Sequence, residues 1–194
     1  MKTFHTIIWS LVGLMVIFVL INWNFFAKRA SFYISHDLLN RAVELEQPDI
    51  AGQPDRLMIP SLGIEAPLAY PDESDEISLQ IALTSGVAHY PGTVLPGEAG
   101  NAFYFGHSSD FPTKPGNYKT VFALLPEIKV GDVINITDRT GRLFTYEVFD
   151  KQVVSASQTE FLSQGDKSEK LLTLQTSYPV GTALKRYIVQ ARAI

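Results

Sequence analysis

Apolar positions follow two regimes along this chain. From Thr3 to Ala27 no residue carries a fixed charge, and Ile7 to Ile21 is almost continuously apolar. About 20 such residues, rising ~1.5 Å each, cover a ~30 Å hydrocarbon core as a helix. The stretch therefore predicts a transmembrane helix. Trp9 and Trp23 lie near its ends, Asn22 and Asn24 mark one interface, and Lys28 and Arg29 stop the run. A cleaved leader is the competing reading, but Phe25 to Ala30 puts charge, at Lys28 and Arg29, where cleavage needs small neutral residues. Beyond the anchor, Ser35 or Asp37 can cap a short helix carrying Leu38, Leu39, Ala42, Val43 and Leu45, which ends before Gln47-Pro48. The expected organisation is an N-terminal tip and transmembrane anchor over 1–30, a helical stalk and linker over 31–55, and a globular domain over 56–194.

From Arg56 onward, short apolar runs alternate with turn residues at the spacing of β structure. Strands are expected at Arg56–Ile59, Ile64–Leu68, Asn101–Gly106, Val133–Thr137, Leu143–Val154, Lys170–Thr176 and Lys185–Ala193. Single turns or short helices are expected at Ile77–Leu83 and Val121–Leu125. Alternate strand residues face opposite sides, so Leu172, Leu174 and Thr176 share one face while Thr173, Gln175 and Ser177 share the other. Arg186 lies opposite the face carrying Tyr187, Val189 and Ala191. A half-polar face of this kind suits an extended peptide or plain solvent.

Composition narrows the chemistry. There is no cysteine, so neither a disulfide framework nor a thiolate zinc site is available. Aromatic residues reach 11%, too many for a chain that stays disordered. Lys2, Lys28 and Arg29 make the first 30 residues basic, while the net charge of the whole is −4, so the remainder is acidic. An acidic domain without a basic, aromatic-laced stripe excludes nucleic acid as a partner. The Asp72 to Glu76 cluster reads as a solvated acidic loop, with calcium binding as the alternative. His5, His36 and His89 read as membrane-proximal, helical and loop residues respectively.

Three stretches carry a recognisable order: Asn101-Ala-Phe-Tyr-Phe-Gly-His107-Ser108, Thr173-Leu-Gln-Thr-Ser177, and Lys185-Arg-Tyr-Ile-Val189. Together with Leu57-Met-Ile-Pro-Ser-Leu-Gly-Ile64, Pro96-Gly-Glu-Ala-Gly-Asn101 and Gly131-Asp-Val-Ile134, they make the chain from Arg56 to Ile194 resemble a sortase. In that family a strand ends in Gly-His, a later one in Thr-Leu-x-Thr-Cys, and the next carries an Arg. The resemblance implies a mainly β fold, an eight-stranded β-barrel with short helices behind one N-terminal transmembrane helix. It also implies cleavage of a Leu-Pro-x-Thr-Gly-like sorting signal on surface or pilin proteins and transfer of the acyl product to a cell-wall or lysine amine. No metal or organic cofactor is implied. By the same resemblance the N-terminus lies inside and the C-terminal domain on the outer surface of the cell membrane.

Each implied role has a physical basis. Amide attack needs a nucleophile, a proton carrier and donors for the developing oxyanion. Ser177, His107 and Arg186 occupy those positions, and Thr176 offers a backbone or hydroxyl contact beside the nucleophile. His107 exchanges protons near neutrality, and Arg186 presents a permanently charged fork of donors. Groove residues are expected in loops, including Ser155–Lys167.

The departure is at 177, where Ser stands for the family's Cys. A thiol is partly ionised at neutral pH, whereas a hydroxyl needs a base during attack. The residues near His107 include Asp110, whose direction the sequence leaves open. Three readings stand: a replacement that silences the enzyme, a non-catalytic peptide-binding module, or a slow serine enzyme. The expectation is a peptidase or transpeptidase that is weak or inactive as it stands. A generic serine peptidase would carry Gly-x-Ser-x-Gly around the nucleophile, which is missing at Ser177.

Overall fold

Asn22 divides the apolar helix that the sequence predicts as one run. In this computed structural model, which describes residues 2–34, 50–111, 113–165 and 168–194, α1 spans Lys2–Ile21 and α2 spans Trp23–Tyr33. The Asn22 side chain donates back to the Phe18 carbonyl at 2.9 Å, and the Asn22 backbone carbonyl accepts from the Phe25 and Phe26 amides as the new helix starts. Thr3–Ile21 is long and apolar enough to cross a membrane. The stalk helix expected after Ser35 lies outside the described residues.

Eight strands close into a barrel in the order β1-β2-β3-β4-β7-β8-β6-β5. They are β1 Arg56–Ile59, β2 Ile64–Ala69, β3 Val87–His89, β4 Gly100–Phe105, β5 Val133–Thr137, β6 Leu143–Ser155, β7 Lys170–Tyr178 and β8 Lys185–Ala193. Closure leaves no open edge to be covered. Two pairs are parallel, β2 with β3 and β4 with β7, and the others are antiparallel. Parallel neighbours need a crossover, supplied for β2–β3 by α3 (Glu76–Ser85) and for β4–β7 by β5 and β6. Inside the barrel Leu57, Ile59, Ile134, Ile136, Leu172, Leu174, Val189 and Ala191 are fully buried. Each large side chain withdrawn from water contributes ~1.5–3 kcal/mol, and the alternation in sequence is what aims them inward.

Asp75 starts α3 by accepting from the Ile77 and Ser78 amides at 3.0 and 3.1 Å. These bonds, those to Ser78 foremost, hold its carboxyl below the usual range. The acidic loop thus supplies a helix cap. Gly86 ends the helix where a Cβ would lie 2.1 Å from the Pro67 carbonyl oxygen.

One expectation needs correction. Strand β3 is not among the expected strands, because three residues between Gly86 and Tyr90-Pro91 are too few to show alternation. Its His89 is no loop residue; it is buried, with Nε2 at 2.9 Å from Thr93 Oγ1 and 3.1 Å from the Val94 carbonyl. Of the two forms expected for Val121–Leu125, the structure shows turns. Val121, Ala123 and Leu125 each donate to the third residue before them, and a 3₁₀ turn follows at Leu125–Glu127. Pro126 has no amide to extend an α-helical ladder.

The second helix rests on the barrel. Arg29 pairs with Glu127, the Tyr33 hydroxyl donates to the same carboxylate at 2.7 Å, and Lys28 donates to the Thr120 carbonyl at 3.1 Å.

Candidate active site

Adjacent strands align the candidate residues. The β4–β7 register pairs Phe105 with Gln175, and Gly106 N–H donates to the Gln175 carbonyl at 3.1 Å. Continuing that register by two residues puts His107 beside Ser177. Across the next pair, Ser177 and Arg186 are direct Cα partners. Neighbouring strands run ~4.8 Å apart, so His107, Ser177 and Arg186 form a row across three strands at one end of the barrel. All three line one cleft of about 720 Å³.

Local contacts hold the row in place. Gly106 is required before His107, since a Cβ there would lie 2.7 Å from the Phe122 ring and 2.9 Å from a Val121 methyl. The His107 carbonyl in turn accepts from the Phe122 amide at 2.9 Å. Thr176 points inward, 2% exposed, and its hydroxyl donates to the Gly106 carbonyl at 2.7 Å. That bond ties the residue before Ser177 to the residue before His107. Arg186 Nη1 donates to the Ala183 and Lys185 carbonyls at 2.9 and 3.0 Å, which fixes the guanidinium plane at the cleft.

Electrostatics around His107 come from two residues beyond the sequence motif. Asp110 Oδ2 lies 3.6 Å from His107 Nε2, and Asp110 Oδ1 pairs with Lys114 Nζ at 2.9 Å while accepting from the Phe111 amide at 2.7 Å. At 3.6 Å the carboxylate is an ion-pair neighbour of the ring rather than a hydrogen-bond partner. Burial is the main cause that lowers the His107 pKa below its ordinary value; Asp110 opposes it and Lys114 adds to it. The resting imidazole is therefore biased toward its neutral, proton-accepting form.

The polar outer face of β4 and β7 builds a wall. Thr173 is buried and donates to Asn101 Oδ1 at 2.8 Å, and Asn101 Nδ2 donates to the Phe161 carbonyl at 2.7 Å. These bonds hold the segment after β6 over the sheet, and Gln158, Phe161 and Leu162 from it line the cleft. Across from it stand Leu79 and Leu83 of α3, with Phe103 and Phe105 between. This face thus borders a half-open groove whose walls carry apolar side chains among polar ones and whose end is polar.

Sequence reasoning missed Lys114, the α3 wall and the Phe18 to Asn22 turn, which also lines the cleft. An i,i+4 Asp–Lys spacing was the one available signal for Lys114. Among the described residues no group of three or more His, Asp or Glu side chains is arranged to hold a metal ion.

A family model for the sortase domain matches residues 57–194. Among solved structures, the chain is similar to sortase C-1 of Actinomyces oris, with 30% identity, TM-score 0.59 and 72% of each chain covered. It is similar to a Clostridium perfringens sortase D5 transpeptidase at 31% identity and TM-score 0.58, over 72% of this chain and 77% of that one. For sortase C1 of Streptococcus agalactiae the figures are 28% and 0.60, over 72% and 66%. Among curated proteins none matches.

Proposed function

The chain belongs to the sortase family, and on that premise we propose that it is a membrane-anchored transpeptidase with Ser177 as its nucleophile. The observation that carries this reading is the row of His107, Ser177 and Arg186 at the polar end of an apolar groove. An extended peptide with an apolar residue upstream of its scissile bond fits such a groove, and a Leu-Pro-x-Thr-Gly-like sorting signal on a surface protein has that character. The acceptor is a cell-wall or pilin amine.

The chemistry balances on these side chains. Ser177 Oγ bonds to the scissile carbonyl carbon as its proton passes to His107, and Arg186 donates to the oxyanion that forms. The carbon–nitrogen bond then breaks, His107 returns the proton to the departing amine, and an ester on Ser177 remains. The acceptor amine attacks that ester, its proton returns by His107 to the Ser177 oxygen, and a new amide leaves. A hydroxyl has to lose its proton in the transition state, so the neutral bias of His107 supports it as the base. Thr176 acts as a positioning residue through Gly106. In this reading the N-terminus lies inside and the barrel at the outer surface, because that is where sorting-signal substrates are.

One observation favours a second reading, a peptide-binding module without turnover. Asp110 is committed to Lys114 and the Phe111 amide instead of hydrogen-bonding the ring of His107, so the orienting bond of a Ser-His-Asp triad is missing. The test is to incubate the full chain with a panel of sorting-signal peptides and a primary amine and to follow masses. A peptide truncated at the signal and joined to the amine establishes transpeptidation. Binding of peptide with no mass change supports the module.

A further inference from the structure

The last turn of the apolar helix α1 does not stand clear of the barrel. Phe18, Ile21 and Asn22 line the same cleft as His107 and Ser177. Gly181, in the turn between β7 and β8, approaches so closely that a Cβ there would lie 3.1 Å from the Phe18 ring and 3.4 Å from Asn22 Oδ1. The Gly181 amide donates to Ser109 Oγ at 3.1 Å, joining that turn to the segment after His107. The end of α1 and the two loops at the cleft mouth are therefore one contiguous surface. On that surface Phe111 is 57% exposed and Leu184 is 73% exposed, beside the exposed Lys185.

We propose that this cleft rim, carrying Phe111 and Leu184, sits in the interface of a lipid bilayer, which is the partner of the surface. The inference rests on α1 being a membrane anchor. A spanning helix that ends at Asn22 leaves Phe18 and Ile21 at the boundary between hydrocarbon and headgroups, a zone ~5–8 Å deep on each side. Whatever touches that turn lies in the same zone. Aromatic and aliphatic side chains gain by leaving water there, and a neighbouring ammonium meets lipid phosphate. The continuity of the rim with the apolar helix selects the bilayer over a soluble partner.

The absence of native cysteine makes the test direct, since one introduced Cys carries one label. The full chain bearing Phe111→Cys, Leu184→Cys, Ile21→Cys or Leu143→Cys, each coupled to an environment-sensitive fluorophore, is reconstituted in equimolar phosphatidylcholine–phosphatidylglycerol vesicles with headgroup nitroxide lipids. Leu143 opens β6, which ends at Ser155 beside the cleft strand β8, up to about 40 Å along the strand. The proposal predicts a blue shift and loss of most emission at 111, 184 and 21, with 143 unaffected. Quenching at 21 but not at 111 and 184 overturns it while leaving the anchor intact. A response at 111 and 184 only when a sorting-signal peptide is added, and none to nitroxide lipid, makes the rim a substrate contact and also overturns it. No quenching at 21 removes the anchor reading and the proposal together.

Discussion

Ser177 and Arg186 face each other directly across the β7–β8 pair, so the hydroxyl and the guanidinium enter the cleft from adjacent strands. The hairpin fixes this relation, because a slip of one residue would turn either side chain into the barrel.

That relation gives the first prediction. Arg186→Ala lowers kcat/KM about 100-fold, the usual cost of one oxyanion donor, with little change in thermal midpoint, since the side chain is not part of the core. Arg186→Lys keeps the charge but loses the planar fork and recovers only part of the rate. Steady-state kinetics beside a melting curve checks both.

His107 should titrate below its ordinary value, chiefly through burial. Lys114→Gln removes a cation that lowers the pKa, so the midpoint rises; Asp110→Asn removes the opposing carboxylate, so it falls. Because the folded value lies below the unfolded one, the unfolded chain binds more protons in that window and stability rises with pH through it. Acidification below about pH 6.5 therefore erodes stability, and His89, lowered mainly by burial too, acts in the same direction. Imidazole NMR shifts of the three proteins, followed across pH, report the order directly.

Thr176→Val removes the bond to the Gly106 carbonyl while keeping the shape. A net loss of about 1 kcal/mol in unfolding free energy is expected, together with lower kcat at nearly constant KM, because Ser177 and His107 lose their tie. Thr176→Ser retains the bond and rescues kcat. If the residue were merely structural, stability would fall and kcat would not.

The buried Tyr146 hydroxyl accepts from the Gly97 amide at 2.8 Å. Tyr146→Phe orphans that amide and costs about 1–3 kcal/mol. Denaturant unfolding of the variant beside the native chain checks it.

Much of this was legible in the sequence where period-2 alternation is long enough to read. Seven of the eight strands were expected within a few residues, and the parity of Leu172, Leu174 and Thr176 against Gln175 and Ser177 matches their inward and cleft-facing sides. Strand β3 escaped because three residues carry no period. For Val121–Leu125 the sequence leaves turns and a short helix both open, because all five side chains are buried and burial without alternation does not distinguish the two. The partners Asp110 and Lys114, and the Phe18 to Asn22 turn at the cleft, depend on loop paths that local pattern does not encode. The motif gave candidates for the site, but the row across β4, β7 and β8 is a property of the register.

The most direct test of Ser177 as a working nucleophile is mass spectrometry of the full chain after exposure to sorting-signal peptides, compared with Ser177→Cys and Ser177→Ala. The account predicts an acyl adduct on the native chain at Ser177, faster accumulation on Ser177→Cys, and none on Ser177→Ala. An adduct on Ser177→Cys alone would contradict it, leaving a groove that has kept its fit to the peptide and lost the means to cut it.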